Sequence, residues 1–181
     1  PADVRLVLER ATASGYCRVL PTAMLTQGGE GSQLSEMAAL MDAGCVALAQ
    51  GNRPFRTKKI KFNALKYAQS LGIRVILDPE SRDFAGGCAH TGRIGMGLGL
   101  SLNSPLSETL GLGADLDLVE ATGVAAHFSR ITSKNSVERI RRAKAEGLNI
   151  TCDVTLPHLI HSESAIANLD PQLPSRKTAQ N

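Results

Sequence analysis

Residues 124–155 read VAAHFSRITSKNSVERIRRAKAEGLNITCDVT. The stretch opens on a short apolar run, passes through polar residues, takes up a helical spacing over NSVERIRRAKAEG, and returns to an apolar run. The reading is strand, loop, helix, strand. Within the helix, Asn135 and Glu138 are spaced for a capping box, Glu138 and Arg142 for an i,i+4 pair, and Gly147 stops it. His127 and Arg130 fall where the first strand runs into its loop, the position where α/β proteins place ligands and catalytic groups.

The same alternation extends in both directions. YCRVLPTAM (16–24), GCVALA (44–49), GIRVIL (72–77), GVAAHFS (123–129) and LNITCDVT (148–155) are apolar nearly throughout and bounded by turn residues. Such runs predict strands buried on both faces of a parallel sheet. Between them, SQLSEMAALMDAG predicts a helix with Leu34, Met37, Ala38 and Met41 on one stripe. TKKIKFNALKYAQSLG predicts another, with Ile60, Ala64, Tyr67, Ala68 and Leu71 inward. Ser104-Pro105 opens a further helix with proline at its first position. Gly111 and Gly113 weaken that helix, by up to about 1 kcal/mol each relative to alanine. Repeated βα units of this kind make an α/β chain.

Composition narrows the function. The chain has 181 residues, 43% of them hydrophobic and 20% charged, enough for one domain with a real core. A net charge of +3 with 3% aromatics gives neither the charge nor the stacking surfaces of a nucleic-acid protein. No apolar run is long enough to span a bilayer, and PADVRLVLERATASG reads as an amphipathic helix rather than a signal peptide, so no membrane partner is expected. Cys17, Cys45, Cys88 and Cys152 form no CxxC pair, and three lie in apolar strand-like runs. They are expected to be reduced core thiols of a cytoplasmic protein.

Nucleotide and hydrolase motifs are absent. GMGLGLS (95–101) is not G-x-G-x-x-G and reads as a loop or weak helix, and RTKKIKF reads as a solvated basic face. Neither G-x-S-x-G nor H-E-x-x-H occurs.

Taken in order, VLPTAMLTQGGEGSQLSEMAALMDAGCVALAQGNRP, ALKYAQSLGIRVILDPESRDFAGGCAHTGRIGMGLGL and ATGVAAHFSRITSKNSVERIRRAKAEGLNITCDVTLPHLI resemble the middle of a bacterial dihydroorotase. The resemblance runs over about residues 1–175, leaving 176–181 as a polar tail. It implies the central part of a (β/α)8 TIM barrel of the amidohydrolase type, with about five βα units present. It also implies a divalent metal, usually zinc, which activates a water and polarises the ring amide of dihydroorotate.

The metal ligands that the family supplies do not carry over. Its acidic pair after the strand at 44–49 falls on Gln50 and Gly51, its histidine after the strand at 72–77 on Asp78, and its next histidine on Arg130. Gln50 lacks the charge, and Asp78 is shorter than an imidazole and precedes Pro79. Arginine offers donors only and carries a fixed positive charge, so it repels a metal. His127 matches a family histidine that is not a ligand and is expected to be partly buried at a strand end. Asp78 and Arg130 occupy equivalent strand-end positions and are expected to pair.

The resemblance therefore implies a catalytically inactive dihydroorotase-like protein of pyrimidine biosynthesis, without metal or other cofactor, and closest to the non-catalytic subunit that supports aspartate carbamoyltransferase. The alternative is a working cyclic amidohydrolase, which would need zinc on another ligand set: Asp78, His90, Asp153, His158 or His161. His158 and His161 are expected to flank a helix start. Five βα units leave two open sheet edges. The chain, which begins at proline, is thus expected to be a piece that closes by homo-oligomerising or by joining another chain.

Overall fold

A computed structural model describes residues 1–167. The tail at 176–181 and the end of the expected 1–175 segment lie outside the described residues. After helix α1 (Ala2–Ser14), β1 (Thr22–Met24), α2 (Met37–Asp42), β2 (Ala47–Ala49), α3 (Lys58–Ser70) and β3 (Arg74–Leu77) alternate. An insertion follows: β4 (Ala89–His90), α4 (Arg93–Gly97) and β5 (Leu102–Asn103). Then come α5 (Leu106–Thr122), β6 (Ala126–Phe128), α6 (Lys134–Ala145), β7 (Ile150–Cys152) and two short helices, α7 (Leu156–Ile160) and α8 (Ser164–Ala167).

The main sheet has the order β1-β2-β3-β6-β7, every pair parallel. The order never reverses. A doubly wound sheet must reverse to cover both faces, whereas right-handed crossovers that advance one way put all helices on one side. This is the wall of a β/α barrel. Strands β4 and β5 form a separate parallel ribbon beyond the C-terminal end of β3.

The core lies between the sheet and its helices. Leu25, Leu48, Leu65, Val75, Leu112 and Phe128 are wholly buried there. Strands do not bury both faces as their apolar runs predict; β3 and β6 alternate, with Val75, Leu77, Ala126 and Phe128 buried and Ile76 and His127 only half-buried. The register places Ala49, Ile76, His127 and Thr151 in one row across the sheet, on the inner side of the barrel wall.

Several local expectations are corrected. Met37 and Leu40 are buried on α2 and Leu34 and Met41 pack partly buried against the core, but Ala38 is exposed. That helix starts late because Leu34 bridges to Thr26 and the Ser35 hydroxyl donates to Met24 O at 2.7 Å. The expected capping box on α6 does not form. Instead Glu108 of α5 accepts from the backbone N–H groups of Thr132 and Ser133, at 3.0 and 2.9 Å. Glu138 pairs with Arg141, one position before Arg142.

The cysteines are free, as expected, but only Cys45 is buried. Cys152 lies on β7, which has no second neighbour among the described residues, and Cys17 and Cys88 lie in connections. The glycines of α5 do not break it either: the helix runs seventeen residues. A Cβ on Gly111 would stand 2.5 Å from the backbone nitrogen of Glu80, so glycine is what lets α5 approach the chain after β3.

Candidate functional site

At the C-terminal ends of the strands lies an open cleft of about 1110 Å³. Asp78, following β3, and Arg130, following β6, line it together. Arg130 Nη2 stands 2.8 Å from Asp78 Oδ1, with the Asp78 side chain only 16% exposed. The pairing expected from their strand-end positions is present.

The backbone holds Arg130 in an uncommon state. Its φ is 61°, a left-handed conformation that no other non-glycine described residue adopts. That state costs an L-residue about 1–2 kcal/mol, and Asp153 opposes the cost. The carboxylate that follows β7 accepts the Arg130 N–H at 2.6 Å and contacts His127 Nε2 at 3.0 Å. The hydrogen bond from His127, and then that from the Arg130 backbone, hold the Asp153 carboxyl below the usual carboxylate range. Because a carboxylate only accepts, Nε2 of His127 is the donor, and Nδ1 faces Thr151 Oγ1 at 2.7 Å. His127, half-buried, thus bridges Thr151 and Asp153.

Gln50 is elsewhere. It is 3% exposed, and its Nε2 donates to Thr26 Oγ1 at 2.8 Å and to Gly29 O at 3.2 Å. Both partners belong to the chain after β1, which Gln50 pins beneath the loop.

The histidines of the alternative ligand set do not converge. His90 on β4 faces Glu163 at 3.8 Å. His158 Nδ1 meets Thr155 Oγ1 at 2.5 Å from within α7, and His161 closes that helix rather than flanking its start. Glu163 accepts from the N–H groups of Ile94 and Gly95, tying this segment to α4. Among the described residues, no three His, Cys, Asp or Glu side chains come together as an ion site.

At the three positions that the resemblance matches to metal ligands, Gln50 is held in a buried hydrogen-bond network, Asp78 is paired with Arg130, and Arg130 carries a positive charge that offers donors only. Two cleft residues escape sequence reading. Glu108 holds the chain that enters α6, two dozen residues away. Asn103, on β5, has a buried Oδ1 without a hydrogen-bond partner among the described residues.

No protein-family model matches the chain. Individual relatives do. A dihydroorotase-like protein of Pseudomonas aeruginosa is 42% identical over 167 residues, which is 92% of this chain and 40% of that protein. The chain is homologous to the dihydroorotase family. A dihydroorotase of Aquifex aeolicus is 32% identical over 165 residues, 91% of this chain and 39% of the enzyme. The chain thus spans about two fifths of the length of the curated relatives it matches. An L-hydantoinase from Arthrobacter aurescens superimposes with a TM-score of 0.68, covering 89% of this chain and 38% of that one at 15% identity. At that identity the likeness concerns the fold alone.

Proposed function

We propose that this chain belongs to a catalytically inactive dihydroorotase-like protein of pyrimidine biosynthesis that serves in the cytoplasm as a structural partner of aspartate carbamoyltransferase. The observation that carries the reading is the Arg130–Asp78 pair at 2.8 Å, at two positions where the family resemblance places metal histidines. Lewis-acid activation of a water needs a dication held by anionic or neutral donors. Here the strand ends carry an ion pair, and Asp153 holds the Arg130 backbone; the fixed positive charge of the guanidinium supports the reading because it disfavours a dication at that position. Packing of the helical layer is retained although the ligand set is not, as suits an assembly surface.

The test is a mixture of the purified protein with aspartate carbamoyltransferase from the same organism, followed by light scattering and a dihydroorotate hydrolysis assay. A larger stoichiometric particle without hydrolysis is expected. Two unmixed species, or zinc-dependent hydrolysis, would contradict the reading.

A further inference from the structure

Charge is unevenly distributed along the chain. Residues 43–77 contain no Asp or Glu and hold seven of the 20 Lys and Arg, so the other thirteen share the rest of the chain with all 17 carboxylates. Of these seven, Arg53, Arg56, Lys58 and Lys59 fall within one loop and the first turn of α3, and all four are exposed. The fold brings a fifth, Arg82, to the same place: its Nη2 donates to Asn52 O at 2.7 Å. Arg53, Lys58 and Arg82 line one recess beside the cleft.

None of the five forms an ion pair among the described residues. Lys61, behind them, is taken by buried Asp115. Of the carboxylates lining the recess, Asp78 is held by Arg130 and Asp115 by Lys61, which leaves Glu80 against the cations. The arginines are also held in place. Arg53 Nη1 donates to Gly28 O at 2.5 Å, and the loop is fastened to the chain after β1 by Arg56 N to Gly31 O at 2.9 Å. A Cβ on Gly31 would strike Pro54 O, so the two loops are in direct contact. Exposed cations with no intramolecular carboxylate, two of them ordered through backbone carbonyls, form a preorganised electropositive surface.

We infer that Arg53, Arg56, Lys58, Lys59 and Arg82 form a docking surface for an acidic patch on a partner protein. The rest of the molecule carries an excess of carboxylates, so the potential is directional and would orient an encounter as well as attract it. The inference rests on the assembly reading above and adds the face that is engaged. Gln50 gains a role as well, because it anchors the Thr26–Gly31 segment to which the basic loop is fastened.

The experiment compares the full protein with a variant carrying R53A, R56A, K59A and R82A, none of which lies in the core. Stopped-flow association with aspartate carbamoyltransferase is followed at several salt concentrations. In parallel, both proteins are tested for retention on immobilised poly-L-glutamate and on a single-stranded RNA oligonucleotide. The expected results are an association rate at least about tenfold lower for the variant at low salt, a flatter salt dependence, and loss of polyglutamate retention. Circular dichroism melts matching the parent would show that folding is intact. Equal association rates for a complex that does form would overturn the docking inference and leave the assembly reading standing. If the parent forms no complex, the assembly reading fails, and polyglutamate then decides the surface: retention lost in the variant supports it, and equal retention overturns it. Tighter binding to RNA than to polyglutamate would overturn the choice of a protein partner.

Discussion

Gly111→Ala and Gly113→Ala should change stability in opposite directions, although helix propensity treats them alike. Both lie inside α5, where alanine gains up to about 1 kcal/mol over glycine. At Gly113 the nearest atom to a new Cβ is Arg139 Nη1 at 2.7 Å, the far end of a flexible side chain that can swing away. That substitution should stabilise by a few tenths of a kcal/mol up to about 1, less the Arg139 contact to Thr109 O. At Gly111 the obstacles are backbone: Glu80 N at 2.5 Å and Pro79 C at 2.8 Å. Overpacking of this kind costs about 1–3 kcal/mol. After the propensity gain, a net loss on the order of 1–2 kcal/mol remains, or roughly 2–8 °C in Tm for a chain of this size. Thermal and urea melts of both variants read the sign directly. A Gly111→Ala protein at least as stable as the parent would refute the claim that α5 packs against the chain after β3 through a glycine contact.

Other expectations follow the same logic. Lys61→Met should destabilise by about 3–5 kcal/mol by stranding Asp115, and adding Asp115→Leu should recover most of the loss in urea melts; Asp115 is only 7% exposed at its side chain, and burial raises its pKa against the pull of Lys61. Asp153→Asn should cost about 1 kcal/mol at pH 7, after discounting charge-assisted hydrogen bonds for half exposure. The folded pKa of Asp153 is depressed, so its contribution is full above the unfolded pKa and disappears as pH falls through the folded one. Parent and variant stabilities should therefore converge once the pH has fallen below the depressed folded pKa, and a gap that persists into that acid range would contradict the assignment. Gln50→Glu should place a carboxylate against Gly29 O, destabilise by about 2 kcal/mol or more at pH 8, and do so less at pH 5. It should not create a metal site.

The barrel wall was legible in the sequence because glycine-punctuated apolar runs and amphipathic helices are local signals. The Asp78–Arg130 pair was legible too, since both residues follow strands that the register sets side by side. What escaped was non-local or backbone in origin. The β4–β5 ribbon and α4 lie in GGCAHTGRIGMGLGLSLN, whose alternating glycines carry no period. The left-handed conformation of Arg130 has no signature in its own side chain; it depends on Asp153 arriving from β7. Likewise the chain entering α6 is held by Glu108 on another helix, which the local Asn135–Glu138 spacing does not reveal. Cysteines in apolar runs are expected in the core, but Cys17 lies in the connection before β1 and Cys152 on β7, an outer strand among the described residues, and both are exposed. Gln50 was read as a lost ligand, whereas its amide serves as a buried tie between loops.

In the proposed reading, the Arg130–Asp78 pair stands in place of a metal site. The most direct test is a zinc titration of the purified, chelator-treated protein, followed by isothermal calorimetry with elemental analysis of the dialysed sample. No stoichiometric zinc at micromolar concentrations is expected, for the parent and for Gln50→Glu alike. One or two equivalents of tightly held zinc, lost on Asp78→Asn, would contradict the reading.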